Sequence, residues 1–184
     1  MELVWPEPEY LRSYCDALRR GWSPNNLRPQ VAQEELAAIQ NNPDAYFQRI
    51  VNFEGGGAGV KLPDGTVVPR LPGYRKWLWD GEFCGSIQLR WPPLAGGALP
   101  DYCLGHIGYS VVPWKQRRGY ATRALALLLP QARHRGLLQV EITTSPENTA
   151  SQQVILANGG VLVEEFEKLA SLGGGRELRF RIAL

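Results

Sequence analysis

The stretch Val111-Val112-Pro113-Trp114-Lys115-Gln116-Arg117-Arg118-Gly119-Tyr120-Ala121 constrains this chain more than any other. It joins an extended apolar run to a helical pattern through a loop with two adjacent arginines and a glycine. Upstream, His106 to Val112 is rich in β-branched and aromatic residues and reads as a strand. Downstream, Ala121 to Arg133 carries alanines and leucines at helical spacing. A strand feeding a helix this way aims several unpaired backbone N–H groups at one spot, at the positive end of the helix dipole. The joint is therefore a seat for a phosphate or pyrophosphate. A large side chain at Gly119 or Ala121 would keep an anion from the backbone.

A second block follows. Leu138 to Thr144 alternates as a strand, and Ser145-Pro146-Glu147-Asn148 is turn chemistry. Thr149 to Asn158 reads as a helix with Asn148 or Thr149 as its N-cap. Asn158-Gly159-Gly160 ends it, and Val161 to Phe166 begins another strand. Pro130 is expected to kink or shorten the preceding helix, because it has no N–H to give.

The spacing Gln116-x-x-Gly119-x-Ala121 resembles the acyl-CoA signature of the GNAT family of N-acetyltransferases. Asn148-Thr149-Ala150-Ser151 and the pair Gly159-Gly160 follow in that family's order. The resemblance covers about residues 76–184, and residues 1–55 only by position. It implies an α/β (α+β) fold of GNAT type: a mixed, mostly antiparallel sheet flanked by helices. The strands at 106–112 and 139–144 would splay to admit acyl-CoA. It further implies that Val111 and Val112 meet the pantetheine arm and that Arg117, Arg118, Gly119, Tyr120, Ala121 and Thr122 take the pyrophosphate. Asn148, with Ser151, would complete the cofactor site. The implied activity is acetyl transfer from acetyl-CoA, as co-substrate, to a primary amine of a small molecule or peptide. A non-catalytic acyl-CoA-binding regulatory protein is the alternative.

Composition agrees with one domain across 1–184: N-terminal helices over 1–53, a Gly-rich loop over 54–73 and a cofactor-binding core over 74–184. Residues 77–136 hold seven basic and three acidic side chains, so the positive excess sits on the expected phosphate segment. No apolar run approaches the roughly 18 residues needed to span a bilayer, and no membrane partner is expected. The first residues lack signal-peptide character. Cys15, Cys84 and Cys103 lack metal-ligand spacing, so no metal is expected, and a reduced, cytoplasmic setting is. The basic residues sit at one loop–helix junction rather than interleaved with aromatics, so nucleic acid is not an expected partner. A homodimer is left open.

Near the N-terminus, helices are expected over Glu9–Gly21 and Pro29–Gln40, the latter with Val31, Leu36 and Ile39 on its apolar side. A further short helix is expected from Asp44 to Phe53. Within 54–73, Asp64-Gly65 could turn a small hairpin; the segment reads as a surface loop or an acceptor-site flap. Strands are expected at Tyr74–Trp79 and Cys84–Trp91.

Amide formation needs a neutral amine and a protonated leaving thiolate. Glu141 and His106 are the candidate catalytic bases, one a carboxylate on a strand and one an imidazole beside the cofactor strand. Many members of the resembled family place a Tyr acid seven residues after the Asn, and here that position is Ile155. Ser151 and Tyr109 are the possible stand-ins.

Overall fold

The computed structural model describes residues 1–26, 28–94 and 96–184. The N-terminal half runs β1 (Glu2–Val4), α1 (Pro8–Arg19), α2 (Val31–Asn41), α3 (Pro43–Ile50), β2 (Val51–Asn52), β3 (Val60–Lys61) and β4 (Val67–Val68). Next come β5 (Gly73–Trp79), β6 (Phe83–Arg90), β7 (Ile107–Val111) and α4 (Tyr120–His134). The chain ends with β8 (Gln139–Thr144), α5 (Thr149–Leu156), β9 (Val161–Glu167) and β10 (Arg176–Ala183).

Two antiparallel sheets organise these elements, one ordered β1-β5-β6-β7 with β2 also on β5, the other β8-β10-β9. Each sheet follows from alternation. In β8, Val140 and Ile142 are buried on one face while Glu141 and Thr143 point to the other. Helices α4 and α5 cover the first face of both sheets, where Leu78, Ile87, Ile107, Leu125, Leu128, Ile142 and Ile155 form one core. Helices α1 to α3 cover the opposite face of the first sheet, with Tyr14, Leu18, Trp22, Tyr46, Trp77 and Phe83 in a second core. Tyr14 stacks on Trp77 with ring centroids 4.4 Å apart.

Glu35 shares the buried side of α2 with Leu36 and Ile39. Its carboxylate accepts from Tyr14, from the Tyr46 hydroxyl at 2.7 Å and from Arg75 at 2.9 Å. Burial alone would raise its pKa, but the Arg75 charge and the tyrosine hydroxyls outweigh burial and lower it. A polar knot thus fastens the helical layer to β5, where periodicity suggested only apolar contact.

The expected strands and helices form within a residue or two of their expected ends, except that the helix expected from Asp44 to Phe53 stops at Ile50, where β2 begins; three further differences and one agreement follow. The N-terminus is not purely helical, since β1 pairs with β5 through Glu2↔Trp79. β10, which the sequence reading did not single out, is the central strand of its sheet. Helix α4 continues past Pro130 to His134, because Leu128 and Ala132 on either side of the proline are fully buried. Asp64-Gly65 does turn a hairpin, β3–β4, and the loop around it is pinned by Arg28 on the Lys61 carbonyl and Arg70 on that of Ala58.

Candidate active site

The two sheets touch at one corner and open from it. The His106 N–H donates to the Glu141 carbonyl at 2.7 Å, and Nδ1 of His106 accepts the Glu141 N–H at 3.0 Å. Gly105 permits this approach: a Cβ there would lie 2.8 Å from the Glu141 carbonyl oxygen. Beyond that corner β7 and β8 share no ladder, each being paired on its other side.

The edge of β7 facing the gap is defined by parity. Arg90 N–H donates to His106 O and Val112 N–H to Cys84 O, so residues 106 and 112 direct backbone groups toward β6. In an antiparallel ladder the intervening odd residues then direct theirs away from it. Ile107, Tyr109 and Val111 therefore offer N–H and C=O groups to the gap, with Gln116 Nε2 donating to the Val111 carbonyl at 3.2 Å. This corrects one expectation. Val112 has its N–H on Cys84, its carbonyl on Lys115 and a fully buried side chain, so it has no such edge to offer. Ile107 and Tyr109 join Val111 on the edge that faces the gap, which only the pairing parity reveals.

At the far end of this edge lies the start of α4, where an anion seat is expected. Among the described residues no side chain caps α4, so its first N–H groups remain open. Gly119 sits before them at φ 72 and Arg117 at φ 60. A Cβ on Gly119 would meet nothing within 4 Å, so backbone conformation rather than crowding demands glycine here. Arg117 and Arg118 are exposed, while Ala121 and Thr122 are half-buried at the helix start. Tyr120 turns its hydroxyl to Asp80, leaving its backbone at the seat.

Lys115, counted with the basic segment above, is spent elsewhere. Its ammonium is 3.1 Å from Asp80 and 2.7 Å from Glu82. It locks the β5–β6 turn against the loop. Burial would raise the Asp80 carboxyl, but Tyr120, Cys84 and Lys115 together hold it well below the carboxylate range.

Asn148 caps α5, its Oδ1 accepting the Ser151 N–H at 3.1 Å, which decides the cap in its favour over Thr149. Ser151 Oγ in turn lies 2.8 Å from the Tyr109 hydroxyl. Both stand-ins for the missing acid therefore meet, one from each arm of the gap. Burial pushes the Tyr109 hydroxyl up to about 12, so it stays protonated at neutral pH. Ile155 cannot share their role. It is fully buried, and Gly160 passes so close that a Cβ there would strike it.

The candidate bases are both engaged. Glu141 accepts from Arg179 and Arg181, each at 2.9 Å. Burial would raise its pKa, but the two guanidiniums outweigh burial and lower it. Burial lowers the His106 pKa, with Arg90 adding to the effect and Glu141 opposing it. A neutral imidazole whose Nδ1 accepts a hydrogen bond carries its proton on Nε2. It then has no free lone pair for an amine.

The split between the sheets thus has a free inner strand edge with an uncapped helix start at one end and a hydroxyl pair along it. Residues 7–161 match the family model described as an acetyltransferase (GNAT) domain, and the chain belongs to that family of acetyltransferases. No curated protein matches the chain by sequence. Among solved structures it resembles RimL, a ribosomal L7/L12 α-N-protein acetyltransferase in complex with coenzyme A. That match has TM-score 0.62 and 13% identity, covering 99% of this chain and 93% of its own. A putative ribosomal-protein-serine acetyltransferase from Vibrio cholerae matches with TM-score 0.57 and 16% identity over 99% of this chain and 92% of its own. The microcin C7 self-immunity acetyltransferase MccE, in complex with acetyl-CoA and AMP, gives 0.57 and 14% over 99% and 91%. Identities this low establish a shared fold.

Proposed function

We propose that this protein transfers an acetyl group from acetyl-CoA to a primary amine of a small molecule or peptide. One observation carries the reading: the free edge of β7 runs from the uncapped start of α4 to the Tyr109–Ser151 pair. When bound, acetyl-CoA supplies the acyl thioester. Open N–H groups at Gly119 to Thr122, with Arg117 and Arg118, hold the pyrophosphate. Val111, Tyr109 and Ile107 hold the pantetheine arm through backbone hydrogen bonds, and Asn148 lies across the gap from them.

Ser151 gives its proton to the leaving sulfur and is resupplied by Tyr109, which regains a proton from solvent once the products leave, so the proton lost by the amine to solvent balances the one taken up by the thiolate. Proton removal from the amine falls to solvent, because Glu141 is held by two arginines and His106 by the Glu141 N–H. The site then works chiefly by positioning. The rival reading, acyl-CoA binding without transfer, rests on the missing Tyr at Ile155; the two hydroxyls supply the acid that this position lacks.

Three buried, unpaired cysteines suit a reducing compartment, and we place the protein in the cytoplasm. The deciding experiment mixes the protein with acetyl-CoA and a panel of amines and follows free thiol. Amine-dependent release is expected. Tight acetyl-CoA binding without release on any amine would favour the regulatory reading.

A further inference from the structure

On the face of the gap away from α4 and α5, the charges are unevenly matched. Gly108 lies on this face of β7, opposite Gln88 of β6. A Cβ on Gly108 would sit 3.1 Å from Nη2 of Arg90 and 3.2 Å from Nε2 of Gln88. These two side chains therefore project over the β7 backbone beside Tyr109. On this face Arg75 pairs with Glu35, and Arg179 and Arg181 share Glu141. Arg90 forms no ion pair among the described residues, and its Nε is buried with no hydrogen-bond partner there. Arg49, in the helical layer over the same sheet face, also has a buried, unpartnered Nη2.

A half-buried guanidinium with an unmet donor costs stability unless a ligand completes it. Arg90 and Gln88 together present planar N–H donors, the arrangement that matches one carboxylate. Arg75, directly opposite Gln88 in the ladder, is already neutralised by Glu35, so the pair offers one positive charge and suits a carboxylate better than a phosphate dianion. Building on the acetyltransferase reading above, we propose that Arg90 and Gln88 bind a carboxylate of the acceptor close to its reacting amine. The acceptor class is then an amino acid or a peptide with an acidic first residue. The bond count between amine and carboxylate is short because Gly108 is the immediate neighbour of Tyr109, beside the reacting centre.

The test uses matched acceptor pairs: β-alanine against its amide, and a C-terminally amidated tripeptide with a free N-terminal Asp against one with a free N-terminal Asn. The carboxylate member of at least one pair should show kcat/KM about 10- to 100-fold higher, the span of a charge-assisted hydrogen bond. The pair that shows it tells a free amino acid from a peptide. In Arg90→Gln the ratio should fall toward one, with Arg90→Lys between. Calorimetry without acetyl-CoA should show the preferred carboxylate acceptor binding to the unmodified protein and not to Arg90→Gln. Equal rates within both pairs, in a protein that acetylates amines, would overturn this inference alone. Failure to bind acetyl-CoA would overturn the underlying reading, and this inference with it. The wild-type ratios decide the matter even if Arg90 variants fold poorly.

Discussion

The Glu141 N–H donates to Nδ1 of His106 at 3.0 Å, closing the corner from which the two sheets diverge. Protonating this imidazole would turn that acceptor into a donor facing a donor. Since burial lowers the His106 pKa below its unfolded value, the unfolded chain binds more protons in the interval between the two. Stability therefore rises with pH through that interval and is complete above about 6.5, the unfolded value. Melting temperature should fall as pH drops from about 6.5 toward 5, and His106→Asn should remove most of that dependence. A wild-type melting curve flat across this range would contradict the assignment.

Glu141→Gln should leave kcat within a few fold while lowering the melting temperature, because the carboxylate serves Arg179 and Arg181. A loss of roughly 10²-fold or more, the mark of a positioned base, would return Glu141 to the chemistry. With saturating acetyl-CoA the rate should rise with pH along one ionisation, that of the acceptor amine.

Ser151→Ala should cut kcat by about 10²-fold, the lower span for a proton donor, with little change in the KM for acetyl-CoA. Tyr109→Phe should show a smaller loss, since its hydroxyl acts through Ser151 at 2.8 Å. Equal activity in all three proteins would remove the pair from the mechanism.

Gly119→Glu should abolish acetyl-CoA binding by calorimetry. The added Cβ meets no atom within 4 Å, so the fold survives. The φ of 72 makes any side chain costly by about 1–2 kcal/mol. A modest fall in melting temperature with complete loss of affinity is expected.

Asn148→Ala removes the cap on the Ser151 N–H, costing about 1 kcal/mol. Affinity for acetyl-CoA should fall as well, because the same residue borders the gap. Destabilisation with unchanged affinity would make Asn148 a cap alone.

Local patterns were legible where one residue type answers one local demand. Gly119 was readable because a loop entering a helix at positive φ selects glycine. Asn148 was readable because a strand-turn-helix needs a side-chain acceptor three residues before an open N–H. The alternation of β8 identified Val140 and Ile142 as core. β10 was less visible, because Arg176, Arg179 and Arg181 interrupt its apolar residues and find their acids only on β8 and β9.

The sequence by itself determined most of the order of elements and the glycine-led, uncapped start of α4, since each depends on neighbours within a few positions. Only the tertiary structure decided which groups remain free to act. Val112 looked open until Cys84 and Lys115 claimed its backbone, and Glu141 looked like a base until β10 brought Arg179 and Arg181 against it. Tyr109 and Ser151, 42 residues apart, became a pair across the gap. Proton affinity and hydrogen-bond capacity depend on what surrounds a group in space, and strand pairing sets those surroundings.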